Sequence, residues 1–498
     1  MNRTSHYTIF VDLPDSPEEV LLVHGYTGAY DKVSKPVAKF LRARSGKNGA
    51  AAALGTRLAG TGFRPSDATR EVLKRRGYLN DKSRAEEESL VEKLAETLAV
   101  RDMQGAPGYV FMPTYSCNLR CPYCFQDHMR SDPANRHLLR TMSRETVDRI
   151  FASMPGIEER HGMNPEAEKK PSILFFGGEP LLAVSRPIVE YIIEKGRERN
   201  VAGFSAISNA TELDAYEDLL GPEGIASIQV TLDGPPEEHD QRRVYADGSG
   251  SFEKIARNIS MALDKGTSIA VRLNIDRDNV ADLPTVAREI EKWGWPSSPG
   301  FSVYVAPIHA GNDKTEEATT MDSWVLKKSL SDLGEEFPEI KIIGHTDNSL
   351  RGRLRGIFEN RNDPMPGFRV GFCAAQSTMY IFDSFGDVYA CWEHTGDPDI
   401  RVGHVSADGE FVSEGGEQER DENWRSRSIL SNPQCKSCRF AFYCGGGCAN
   451  LAWSRTGDIH SSFCDGFARR FRVAAATAYA EYLSGTEAVP LEEPACEV

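Results

Sequence analysis

From Pro107 onward the chain alternates short apolar runs with longer segments whose apolar residues recur every three or four positions. Short runs rich in β-branched and aromatic residues read as strands, and the longer period reads as amphipathic helix. The pattern predicts strands over 108–113, 172–176, 203–207, 226–232, 268–275 and 301–306, and helices over 143–154, 186–198, 212–220, 252–265 and 283–293. Strands alternating with helices form a parallel sheet with crossover helices, so the expected fold class is α/β, with an open, partial (β/α)6 barrel at its centre. Upstream, 7–13 and 19–25 read as a hairpin turning at Pro14-Asp15-Ser16-Pro17, giving a small N-terminal α+β unit. Helices are expected from a Ser34 cap through Leu41, over 67–76, and over 83–99 with Leu90, Leu94 and Leu98 on one face. Residues 45–63 are Ala/Gly-rich and read as loop or weak helix. Downstream, Met379-Tyr-Ile-Phe and Gly386-Asp-Val-Tyr read as a β-hairpin. The expected organisation is 1–100, 107–310, a bridging segment 311–366, a cysteine-rich domain 367–470, and a helix and tail 471–498.

Composition narrows the function. The 498 residues are 40% hydrophobic and 26% charged, as in a globular protein of two or three domains. A formal net charge of −15 argues against broad nucleic-acid binding. No apolar run is long enough to span a bilayer, and Met-Asn-Arg-Thr-Ser-His lacks the apolar core of a signal peptide, so the expected location is cytoplasmic. Ten of the eleven cysteines fall in two groups, 117–124 and 373–464, with Cys496 apart. In a reducing compartment such clusters point to metal rather than to disulfides.

Each candidate motif falls at the carboxyl end of a predicted strand, where parallel α/β folds bind ligands. After the first strand come Cys117, Cys121 and Cys124, spaced C-x3-C-x2-C, with Tyr123 and Phe125 beside the last. Three thiolates on one short loop suit three irons of a [4Fe–4S] cluster and leave the fourth open; a zinc knuckle is the alternative. Gly177-Gly178-Glu179-Pro180 follows the second strand, its glycines admitting a ligand to the backbone and Glu179 offering an acceptor to a cationic amine. Ser208-Asn209-Ala210-Thr211 ends the third, as ligand contacts or helix cap, and Thr231-Leu232-Asp233-Gly234 ends the fourth. Arg242 or Arg243 offers a guanidinium to a carboxylate or forms a surface ion pair, and Arg272 and Asn274 on the fifth strand are expected to face the barrel interior.

The cysteine loop and GGEP motif resemble those of the radical S-adenosylmethionine (radical SAM) enzymes. The resemblance implies that the open iron binds SAM and that an electron from the cluster cleaves it to methionine and a 5′-deoxyadenosyl radical. It further implies SAM contacts from Tyr123, Gly177, Gly178, Glu179, Ser208, Asn209, Thr231 and Arg243. The later pattern, Cys373, Gly386-x4-Cys391, Cys435-x2-Cys438-x5-Cys444-x3-Cys448 and Cys464, resembles the SPASM domain of radical SAM enzymes that act on peptides and proteins. A two-zinc ribbon is the plain alternative. That resemblance implies two auxiliary [4Fe–4S] clusters, three in all, with Cys435, Cys438, Cys444 and Cys464 on the outer one and Cys373, Cys391 and Cys448 on the inner.

The implied activity is radical modification of a peptide. The N-terminal hairpin and helices are similar to elements that bind a precursor's leader as an added strand, or form a structural cap. Anaerobic sulfatase-maturing enzymes share this domain pair but carry an Asp after the equivalent of Cys391, where this chain has Trp392. The favoured expectation is therefore thioether formation on a ribosomally made precursor peptide. Carbon–carbon crosslinking, epimerisation, backbone excision and formylglycine formation are alternatives, and a zinc scaffold is the non-enzymatic one. A flavodoxin- or ferredoxin-like electron donor is the expected second partner.

Overall fold

The computed structural model describes residues 2–45, 63–163, 170–310, 315–360 and 367–485. Most of the loop expected over 45–63 lies outside them, as does Cys496. The N-terminal unit contains β1 (Arg3–Thr4), β2 (Thr8–Asp12), β3 (Glu19–His24), β4 (Tyr30–Ser34) and β5 (Leu79–Asn80). β2, β3 and β4 form an antiparallel sheet, so the expected hairpin gains a third strand. Ser34 stands at the cap of helix Lys35–Arg42 but makes no capping bond, and Pro36 supplies the preset first turn instead. Helix Arg84–Met103 starts on a Ser83–Glu86 capping box. Its buried stripe is Glu87, Val91, Ala95 and Leu98, while Leu90 is 38% exposed. A buried charge defeats the hydrophobic pattern here: the Glu87 carboxylate accepts from Ser5 Oγ at 2.5 Å, His6 N at 3.1 Å and Asn80 Nδ2 at 3.0 Å.

The six expected core strands all form: β6 (Gly108–Phe111), β7 (Ser172–Phe175), β8 (Phe204–Ser208), β9 (Ile225–Leu232), β10 (Ser268–Ile275) and β11 (Phe301–Pro307). They pair in parallel in chain order, and the short β12 (Gly344–His345) adds beyond β11. Helix Arg144–Arg160 runs past Pro155 beyond its expected end, whereas 213–219 is a 3₁₀ segment instead of an α-helix, with no side-chain cap to start it. Strand alternation sorts the barrel. Val230, Leu232, Val271, Leu273 and Ile275 are buried in the main core. Thr231, Arg272 and Asn274 alternate with them and are half-buried on the interior face.

The cysteine-rich segment is built onto this sheet. β13 (Met379–Phe382) pairs in parallel with β6, and β14 (Asp387–Tyr389), β15 (Gly403–Val405) and β16 (Phe411–Val412) follow antiparallel, completing an eleven-stranded sheet. The N-terminal unit packs on the other side of that segment. Tyr7, Ile9, Val23 and Tyr30 share a core with Phe440, Tyr443, Phe471 and Tyr479. Tyr7 Oη donates to Lys436 O at 2.9 Å and Tyr443 Oη to His24 O at 3.1 Å. No helix among the described residues is long and apolar enough to cross a membrane.

Candidate active site

The cysteine loop leaves β6 and is held on three sides by backbone. Gly178 N donates to Thr114 O at 3.1 Å and Glu179 N to Ser116 O at 2.8 Å, while Arg120 N donates to Val244 O at 2.8 Å. Asn118 Nδ2 donates to Thr211 Oγ1 at 2.8 Å, and Asn209 Nδ2 reaches Asn118 Oδ1 at 3.0 Å and Cys117 Sγ at 3.7 Å. The strand ends that carry the motifs are therefore bonded to one another around the three thiols.

That environment fits an iron–sulfur group. Cys117, Cys121 and Cys124 form no disulfide. Burial pushes the Cys121 thiol up to about 12, and Cys117 and Cys124 add to the rise, so loading with metal must release protons. Arg130 donates to Cys124 Sγ at 3.1 Å, while its Nε and Nη1 are buried without a partner. A guanidinium with unpartnered edges beside three thiols suits an anionic thiolate centre.

Glu179 is engaged by the chain itself. At 2% exposure it is turned inward, accepting from Ser208 Oγ at 2.7 Å, Asn209 N at 2.6 Å and Leu181 N at 2.9 Å. Burial pushes its carboxyl up to about 7 against the pull of those donors. It clamps β7 to β8. Ser208 and Asn209 likewise turn to the chain: Ser208 Oγ accepts from Ala210 N at 2.9 Å, and Asn209 Oδ1 accepts from Thr211 N at 2.9 Å. Glu179→Gln turns an amide N–H₂ toward backbone donors, and is expected to cost about 1–3 kcal/mol and weaken SAM binding with iron content unchanged. Thermal melting and equilibrium dialysis check this; unaltered melting would show that the clamp is dispensable.

Across the mouth lies a second polar group. Tyr123 Oη donates to Asp233 and accepts from Arg243 Nη1 at 2.7 Å and Asn274 Nδ2 at 3.3 Å. Arg243 is buried, with Nε unpartnered and Nη1 4.0 Å from Asp233 Oδ2, while Arg242 pairs with Asp276. Thr231 is half-buried on β9 at the register of Arg272.

The seven C-terminal thiols separate into two sets. Cys435 lies in the field of Cys444, Cys464 and Cys438, and Cys391 in that of Cys448 and Cys373. Gly445, Gly446 and Gly447 all take left-handed φ (72°, 87° and 78°), turning the chain between Cys444 and Cys448. Trp392, after Cys391, is buried against Phe176 with ring centroids 5.1 Å apart. Glu393 was not singled out from the sequence. It is half-buried, its charge acts on Cys391 and Cys448 and is offset by the Arg272 guanidinium, and desolvation pushes its carboxyl up to about 7. Arg130 carries no sequence signal, whereas Asp233 sits inside a motif already noted.

Comparison with known proteins agrees with this geometry. Residues 111–290 match the Radical SAM superfamily. A cysteine-type anaerobic sulfatase-maturating enzyme of Clostridium novyi is 23% identical over 342 residues, covering 67% of this chain and 85% of that protein. A serine-type anaerobic sulfatase-maturating enzyme of Bacteroides thetaiotaomicron is 25% identical over 381 residues, covering 69% and 82%. The solved structure of His6-tagged anSMEcpe with bound AdoMet superimposes with a TM-score of 0.56 at 17% identity, over 77% of this chain and 97% of that one. Residues 111–290 thus form a radical SAM domain, of the kind that takes SAM and a [4Fe–4S] cluster, and the chain is an enzyme.

Proposed function

We propose that this chain is a peptide maturase that cleaves SAM reductively, takes a hydrogen from a ribosomally made precursor peptide and installs a thioether between a Cys sulfur and a carbon. The observation that carries this reading is the sorting of seven thiols into two sets, next to a hairpin whose first strand pairs with β6, the strand leading into the cysteine loop. Cys117, Cys121 and Cys124 hold the SAM-binding cluster. Cys435, Cys438, Cys444 and Cys464 hold an outer auxiliary [4Fe–4S] cluster, and Cys373, Cys391 and Cys448 an inner one. When bound, the first supplies the electron that cleaves SAM, and the auxiliary pair accepts the electron released as product forms. The substrate loses a hydrogen atom from carbon, a proton from its thiol and that one electron.

The chain's own residues bind and orient. Tyr123, Thr231 and Arg243 face SAM across the mouth, with Arg243 on the carboxylate. The backbone of Gly177 and Gly178 lines the opposite side, and Glu179, Ser208 and Asn209 hold that wall in place. The interior face bearing Arg272 and Asn274 receives the peptide. A leader would add to β4: the outer carbonyls of β2 are already bonded, Thr8 O by Arg439 Nη1 at 2.7 Å and Phe10 O by Arg472 Nε at 3.3 Å. A cavity of about 620 Å³ beside Cys373, with Arg353 and Arg369 in its lining, gives a flavodoxin- or ferredoxin-like donor a place to approach the inner set.

A peptide or protein substrate is supported by the relatives, both sulfatase-maturating enzymes, matched over two thirds of this chain. Trp392, buried where those enzymes are expected to carry an acid, favours the thioether. Glu393, one residue further on and facing Arg272, favours formylglycine formation as the second reading. Two measurements test the proposal. Iron and sulfide should each come to about twelve per chain after anaerobic reconstitution; about four, with zinc, would overturn it. A Cys-bearing peptide should lose two hydrogens and keep its sulfur, whereas loss of the sulfur marks formylglycine.

A further inference from the structure

Arg427 ends the helix Gly416–Ser426 and is 3% exposed. Its Nε donates to Ile459 O, and its Nη2 to Gly446 O at 3.2 Å and Ser461 O at 3.1 Å. These carbonyls lie on the two segments that carry Cys444, Cys448 and Cys464. Nη1 is buried with no partner. Among the described residues no carboxylate stands within ion-pair distance of the guanidinium; the anionic groups that act on it are Cys448 and Cys373 of the inner set, then Cys435 and Cys444 of the outer set. Nη1 and the outer set border the same small space: a Cβ on Gly446 would lie 3.7 Å from Arg427 Nη1 and 3.9 Å from Cys435 Sγ.

A buried cation without an anion is strongly unfavourable, and an N–H edge left open in a dry site costs a hydrogen bond. Three backbone carbonyls satisfy part of the fork but none of the charge. The thiols whose charge acts on it belong to both sets, which become net-negative thiolate clusters when loaded. Resting on the auxiliary-cluster reading above, we infer that Arg427 is the shared counter-ion of the two auxiliary centres. Nη1 donates to a cluster or thiolate sulfur, and the charge raises both reduction potentials, since cluster potentials follow local charge and hydrogen bonds to sulfur. One cation set between two acceptors makes each easier to reduce and couples them, because an electron on either weakens the pull of Arg427 on the other.

The test uses the reconstituted full-length protein carrying Cys117→Ala, so that only auxiliary signals remain, with ¹⁵N-labelled arginine. Pulsed electron paramagnetic resonance of the reduced clusters should show a ¹⁵N coupling that disappears in Arg427→Lys. Redox titration should place the auxiliary potentials lower in Arg427→Gln than in wild type, with Arg427→Lys between them, at equal iron content. Absence of the ¹⁵N coupling, or unchanged potentials in Arg427→Gln, overturns the assignment while about eight irons per chain leave the cluster reading standing. Iron near zero in the Cys117→Ala protein overturns both. If Arg427→Gln fails to load, the ¹⁵N coupling in the Cys117→Ala parent decides alone.

Discussion

Cys117→Ala is expected to abolish SAM cleavage while leaving the chain folded. Two thiolates do not retain a [4Fe–4S] cluster at a site that already keeps one iron open, so the variant should carry about eight irons where the parent carries about twelve. Production of 5′-deoxyadenosine should fall about a thousandfold or more, equivalent to about 4 kcal/mol of barrier. Folding should survive because the loop's position depends on backbone bonds, from Gly178 N to Thr114 O and Glu179 N to Ser116 O, and not on the Cys117 side chain. The thiol itself is placed by Leu119 N at 3.4 Å and Asn209 Nδ2 at 3.7 Å, both weak contacts at sulfur distances. Iron analysis, far-ultraviolet circular dichroism and chromatography of the nucleoside product check the three parts. Wild-type iron and undiminished cleavage would remove Cys117 from the cluster and sink the assignment of the loop.

The barrel was legible because its signals are local. A parallel strand covered on both faces is a short apolar run, and the six runs from 108 to 306 reappear as β6 to β11 in chain order. The motifs were legible because each occupies a strand end. What the pattern could not give is pairing across distance. Nothing in Met379-Tyr-Ile-Phe announces that β13 will lie parallel to β6, more than two hundred residues earlier, because register is decided by the finished sheet. Nor does sequence show which partner a polar residue chooses. That Ser208 and Asn209 donate to Glu179 is not written along the chain, and Leu90 reads as core until Glu87 takes the buried face of the same helix. Arg427 and Arg130 are ordinary basic residues along the chain and become buried cations beside thiols only in three dimensions.

Gly178→Ala is expected to disable the site without touching a ligand. A Cβ on Gly178 would lie 2.3 Å from the carbonyl oxygens of both Ser116 and Tyr115 and 2.5 Å from the Tyr115 carbonyl carbon. All three are backbone atoms, which no rotamer change can move aside. The strand ends must separate by several tenths of an ångström, and the separation falls on the two hydrogen bonds that hold the cysteine loop against β7. Overpacking of this kind costs about 1–3 kcal/mol and each strained hydrogen bond about 1 more, so a loss of about 3–5 kcal/mol follows. Because Ser116 adjoins Cys117 and Glu179 adjoins Gly178, the displacement reaches a cluster thiol and the carboxylate clamp together. Iron at the loop and thermal stability should therefore fall in parallel. Gly156→Ala is the control, since a Cβ there meets nothing within 4 Å and the residue lies in a helix, where alanine is favoured. If Gly178→Ala loads about twelve irons and melts with the control, the close approach of β7 to the cysteine loop is not what positions the thiols. The polar ties from Asn118 and Asn209 would then have to hold the loop by themselves.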